Sequence, residues 1–221
     1  MNTAVRIQWV AFAGGCVAGP LAIAIAAFTN PPYYGSAAGI PTAIATNASD
    51  TDLVDRTHLV AIVIAAYLLP IVFVGAWWLA NRASPWLAGL GLLLSLLAFL
   101  PVAVFAAQDS LFYDIARWGA TTELVEVAQR ANQDGVMTFY GIAFGLGSVL
   151  GPTLLGIALW RSRAAAGWVA ACLVASRLPV VVFPLVPYRI ATIVVLAGTV
   201  FLVIAGAGIT AGILRSRSAS A

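Results

Sequence analysis

The 221-residue chain has no lysine, one histidine and two cysteines, and only 9% of it is charged. Each scarcity removes a class of function. The lone histidine, His58, leaves no bis-histidine haem and no histidine-rich di-iron centre. Cys16 and Cys172 stand singly in apolar runs without a C-x-x-C, so dithiol redox chemistry has no seat. The sequence contains no H-E-x-x-H and no intramembrane Ser-His arrangement for proteolysis. It also has no paired acids placed at a membrane edge to hold a magnesium–diphosphate. The 11 basic residues, all arginine, are scattered along the chain, which is not the clustered patch that grips nucleic acid. No cofactor is expected, and no nucleic-acid partner.

What the chain has in abundance is apolar surface. Residues of the AVILMFWYC set make up 62% of it, and the mean hydropathy is +0.99. A soluble domain of this length needs more polar surface, so a lipid bilayer is the expected solvent. The length suits one transmembrane domain over 1–221. Six apolar stretches approach the roughly 20 residues that a bilayer core requires, over about 7–28, 58–80, 85–107, 136–160, 164–186 and 190–214. They are unbroken rather than alternating, which excludes barrel strands. The expected fold is therefore all-α, a polytopic membrane helical bundle of six transmembrane helices. Arg6 with the apolar run to Ala22-Ile-Ala24 loosely imitates a signal peptide, but the run continues through Phe28, longer than a usual signal core.

Charge sets the orientation. Arg6, Arg82, Arg161, Arg163, Arg215 and Arg217 fall on one side of such a bundle; Arg56, Arg117, Arg130, Arg189 and all eight carboxylates fall on the other. Arginine in short loops marks the cytoplasmic side, so both termini are expected inside, in a bacterial inner (plasma) membrane. Trp9, Trp78, Trp86, Trp160 and Trp168 then cluster at the cytoplasmic interface, where indoles anchor.

One pattern occurs twice. Pro70, Trp78 and Trp86 are spaced by eight residues, as are Pro152, Trp160 and Trp168, and Asp52 and Asp134 each precede their proline by eighteen. The copies end on Leu100-Pro-Val-Ala-Val-Phe105 and Leu178-Pro-Val-Val-Val-Phe183. A tandem duplicated helical hairpin accounts for this, with helices two and three repeated as four and five. Mid-span prolines are expected to kink the helices, and Gly15/Gly19, Gly141/Gly145, Gly147/Gly151 and Gly208/Gly212 to pack them closely.

Two outer loops remain. The first, 29–57, is broken by Pro and Gly and reads as an irregular lid. The second, 108–135, reads as two short interfacial helices broken at Gly119. One carries Leu111, Phe112, Ile115 and Trp118 on a single side; the other is capped by Thr121 or Thr122 and pairs Glu126 with Arg130.

Two groups carry chemistry. Asp52, Asp55 and His58 form a D-x-x-D-x-x-H series at single-turn spacing. It reads as a divalent-ion site, as a proton-sensitive switch, or as first-turn acids beside a wet interfacial histidine. Arg177 lies about 20 Å along helix five by helical rise, beyond the midplane. A guanidinium there faces protein, water or an anionic ligand, or snorkels outward. Asp109 and Asp134 are its candidate carboxylate partners.

The stretch Leu154-Leu-Gly-Ile-Ala-Leu-Trp-Arg-Ser-Arg163, followed by Trp168, resembles a recurring segment of small six-helix membrane proteins of high-GC bacteria, a domain of unknown function. The resemblance covers helices four and five, implies the six-helix architecture, and carries no functional residue across. Helix two departs from that group in lacking a strongly basic exit.

The sequence thus points first to a non-catalytic accessory protein or complex subunit with a membrane-protein partner. Two alternatives are a carrier for a small anionic or amphipathic molecule, using an outward-facing cavity near Arg177, and an outer-face lipid-modifying enzyme.

Overall fold

The structure, a computed structural model, describes residues 3–29, 39–49, 52–182 and 188–218. These residues form ten helices and, among themselves, no strand: α1 (Thr3–Thr29), α2 (Gly39–Ser49), α3 (Asp52–Ala80), α4 (Pro85–Phe99), α5 (Val102–Trp118), α6 (Thr122–Asn132), α7 (Gly135–Ser162), α8 (Gly167–Ala175), α9 (Leu178–Val182) and α10 (Tyr188–Ser218).

Five segments are long and apolar enough to cross a membrane: Ile7–Thr29, Asp52–Ala80, Pro85–Trp118, Gly135–Ser162 and Thr192–Ser216. The fifth of the six expected spans is the exception. Gly167–Val182 is shorter and is divided into α8 and α9, and the remainder of that expected span, 183–187, lies outside the described residues. The third expected span also differs. Its helix breaks at Leu100-Pro101, then runs on as α5 to Trp118, so the span and the first interfacial helix merge.

Local chemistry explains most boundaries. Pro85 opens α4, where its missing N–H costs nothing. Thr121 and Asp134 cap α6 and α7, accepting from the amides of Leu124 and Met137. Arg163 ends α7 in the left-handed region at φ 53°. Gly119, at φ 91°, separates α5 from α6 as its place in the sequence suggests. Pro20, Pro70 and Pro152 sit inside continuous helices. Among the described mid-span prolines, Pro101 and Pro179 of the two hexapeptides lie at breaks, and Pro184 lies outside the described residues. At the second break Ser176 turns its hydroxyl back onto the Leu173 carbonyl (2.7 Å), satisfying an acceptor that the interrupted helix leaves open.

Helix α3 is the core, touching α1, α4, α5, α7 and α10. Phe73, Leu69, Val72 and Ala76 are fully buried along it. Glycine permits the closest seams. A Cβ on Gly19 would lie 2.5 Å from the Leu68 carbonyl carbon, and one on Gly151 would lie 2.5 Å from the Ser95 amide nitrogen, so α1 meets α3 and α4 meets α7 backbone to backbone. Gly141 and Gly145 differ: a Cβ there meets nothing within 4 Å.

One end of the bundle carries Arg82, Arg161 and Arg163; the other carries the acids of α3, α5 and α6. Over this acidic end α2, α5 and α6 form a small second core of Ile40, Ile44, Phe112, Ile115 and Ala128. Gly39–Ser49 is thus a helix where the sequence suggested an irregular lid. Burying Ile40 and Ile44 supplies the tertiary contact that a short, weakly polar segment needs to stay helical. On α5, Phe112 and Ile115 turn inward while Leu111 and Trp118 remain exposed.

Candidate functional site: two buried polar groups

The acidic end is held by a clasp between α3 and α5. Positions 52, 55 and 58 lie on one stripe of α3, because single-turn spacing keeps residues on a face. Asp109, Tyr113 and Arg117 follow one another at i+4 on α5 and present the matching stripe. Arg117 Nη2 donates to Asp55 Oδ2 at 2.8 Å, and the Asp55 side chain is only 2% exposed. Tyr113 donates its hydroxyl proton to Asp52 Oδ1 at 2.5 Å. Arg56 Nε donates to the other Asp52 oxygen at 2.8 Å, and Arg117 lies over the Tyr113 ring, 5.4 Å from its centroid.

His58 ties a third helix into the clasp. Its Nδ1 lies 3.0 Å from the Ala26 carbonyl of α1 and its Nε2 lies 3.3 Å from Asp109 Oδ2. Both partners are acceptors, so a ring carrying both protons donates at each end. Gln108 extends the network to α6 by donating to the Asn132 side chain at 2.6 Å.

The D-x-x-D-x-x-H series therefore does not converge on one point. Asp52 faces Tyr113 and Arg56, Asp55 faces Arg117, and His58 faces Asp109 and Ala26. Among the described residues no group of three or more His, Cys, Asp or Glu side chains is placed to hold a metal ion.

The second buried group is Arg177, 9% exposed, in the turn between α8 and α9. Its Nε donates to Ser176 Oγ at 3.0 Å, and its guanidinium lies 5.1 Å from the Phe99 ring centroid. Phe99 is the last residue of α4, so Arg177 joins the two helix breaks. The ring in turn stacks on Phe73 at 4.8 Å and meets Phe144 edge-on at 5.7 Å. Gly198 of α10 packs against the same break, where a Cβ would approach the Ser176 carbonyl oxygen to 2.9 Å.

The structure does not bring Arg177 to either of its expected carboxylates. Asp109 is turned to His58, and Asp134 accepts from the Met137 amide at 2.8 Å as the cap of α7. Among the described residues no carboxylate pairs with Arg177. Nor does Arg177 line either of two grooves in the acidic half. One runs between α1 and α3 with a volume of about 360 Å³, the other between α1 and α10 with about 440 Å³.

Arg117 and Tyr113 are the residues that the sequence reading passed over. Their signal was the i, i+4, i+8 row Asp109, Tyr113, Arg117, whose charge order complements the acid row of α3. The expected loop boundary at 108 concealed it.

The fold defines an all-helical protein with five helices long and apolar enough to cross a membrane. No family model, no curated protein and no solved structure matches the chain.

Proposed function

We propose that the chain is a multi-pass protein of the bacterial inner membrane that serves as a non-catalytic accessory protein or subunit of a membrane complex. In this reading Gly167–Val182 belongs to a sixth crossing, and both termini are cytoplasmic. Support for the orientation comes from the separation of Arg82, Arg161 and Arg163 from the acids, since arginine is retained on the cytoplasmic side. The tandem duplication belongs to the same reading. Its support is that the repeated Leu-Pro-Val hexapeptides begin at the only two mid-helix breaks among the described residues. The resemblance to uncharacterised six-helix membrane proteins is compatible with this reading and adds no activity to it.

One observation carries the functional part. The acidic-end side chains best suited to chemistry are engaged with one another across α1, α3 and α5, in an arrangement that joins helices rather than opening onto a substrate. Asp109 and Asp134, which an outer-face lipid-modifying enzyme would need, are a histidine partner and a helix cap. Affinity purification in mild detergent tests the proposal. A stoichiometric membrane-protein partner is the expected result; a lone chain that repeatedly carries one small metabolite would overturn it.

A specific observation favours the second reading, a carrier for a small anionic or amphipathic molecule. Arg177 is a buried guanidinium without a carboxylate partner among the described residues, set where two helices break, and broken helices are how many carriers build a mid-membrane site. Against it stands the Phe99–Phe73–Phe144 cluster, which fills the space on which the guanidinium rests.

A further inference from the structure

The acidic half of α1 is flanked by two apolar grooves that share one residue. Ile25 lines both the groove against α3, with Val60 and Ile64, and the groove against α10, with Val200 and Ile204. From Arg56 to Ile64 the first groove follows eight residues of α3, about 12 Å by helical rise, which accommodates much of an acyl chain. Among its described lining residues only Arg56 and Thr57, at its upper end, are polar. Arg56 is 69% exposed and is bound to Asp52, itself 52% exposed.

We propose that this surface is a binding site for a two-chain phospholipid with an ammonium-bearing zwitterionic head group. One chain lies in the α1–α3 groove, and the other crosses Ile25 into the α1–α10 groove. The phosphate takes the exposed Arg56 guanidinium, and the head-group ammonium donates to the Asp52 carboxylate. The commitment to a zwitterion follows from charge. Asp52 already matches Arg56, Asp55 matches Arg117 and Asp109 faces His58, so a net-anionic head group brings a charge for which these described groups hold no spare cation. A head group carrying both signs completes an alternating set of four, with each charge beside its opposite. Three N–H donors on the ammonium matter as well, because a trimethylated nitrogen cannot donate to Asp52.

The site rests on the membrane-embedded reading, and its test separates the two. Extraction comes first: a chain that purifies from the soluble fraction without detergent overturns the membrane reading itself. With the detergent-purified protein, native mass spectrometry is run in mixed micelles of equimolar phosphatidylethanolamine, phosphatidylcholine and phosphatidylglycerol. The expected result is at least about five-fold greater retention of phosphatidylethanolamine than of either other lipid, a difference of about 1 kcal/mol. Asp52→Asn abolishes that preference over phosphatidylcholine, Arg56→Gln lowers retention of all three, and Ile25→Trp lowers retention while leaving the order unchanged. Far-ultraviolet circular dichroism confirms that each variant is folded, and folding is expected because Arg56, Asp52 and Ile25 are all exposed. Equal retention of the three lipids, preference for phosphatidylglycerol, or a preference that survives Asp52→Asn in a folded protein each overturns the proposal.

Discussion

His58 and Arg177 are both nitrogen bases buried among helices, and the protein treats them differently. At His58 each ring nitrogen meets an oxygen from another helix, a carbonyl of α1 and a carboxylate of α5, so the residue works as a three-helix tie. Arg177 meets the hydroxyl of its own neighbour and the face of an aromatic ring. The difference follows depth. The acidic end lies where α2, α5 and α6 bring polar side chains over the bundle, so carboxylates are within reach. Beside Arg177 stands Phe99, itself packed on Phe73 and Phe144, and its ring quadrupole is the available counterpart to the charge.

The largest effect expected from breaking this contrast is at Phe99. The residue is 2% exposed and joins the aromatic stack to Arg177, so Phe99→Ala leaves a cavity and strips the guanidinium of its ring. A loss of about 3–5 kcal/mol is expected, read as thermal unfolding in detergent. A loss below about 1 kcal/mol would mean that the stack does not organise the two helix breaks.

A smaller effect sharpens the contrast from the other side. Arg177→Leu exchanges a charge that lacks a carboxylate for an apolar side chain in an apolar setting. The expected change in stability is within about 1 kcal/mol in either direction, since the lost cation–π contact is offset by relief of desolvation. A loss of several kcal/mol would reveal an anionic partner and would favour the carrier reading over the accessory one.

The sequence made some of this legible and hid the rest for physical reasons. Long apolar runs have few alternatives to helix, so the spans of α1, α3, α7 and α10 could be read directly, as could the Thr121 cap and the Gly119 break. Helix α2 could not, because its helicity depends on burying Ile40 and Ile44 against Phe112, a tertiary contact without a local signal. Of the mid-span prolines, Pro20, Pro70 and Pro152 lie inside continuous helices and Pro101 and Pro179 at breaks, a division that the proline itself does not announce. Asp52, Asp55 and His58 were visible as a row, but their partners lay across an assumed loop boundary, so the row looked like an open site instead of half of a clasp. Arg177 was visible as an anomaly of depth, whereas its resting place on Phe99 is a tertiary contact between the α8–α9 turn and the end of α4.

The central claim is that the acidic end is a clasp whose charges act on each other, and a double-mutant cycle on Asp55 and Arg117 tests it most directly. Asp55→Asn and Arg117→Gln each remove one partner of a pair in which the carboxylate is 2% exposed. Arg117→Gln is expected to cost about 3 kcal/mol, because Asp55 is left desolvated without its counterpart, and Asp55→Asn less, because the Arg117 side chain is 33% exposed. The double variant should then recover a large part of the combined loss, giving a coupling of about 1.5 kcal/mol or more in thermal unfolding in detergent. Strictly additive losses, with coupling below about 0.5 kcal/mol, would contradict the clasp and return these residues to the pool of groups free to serve a ligand.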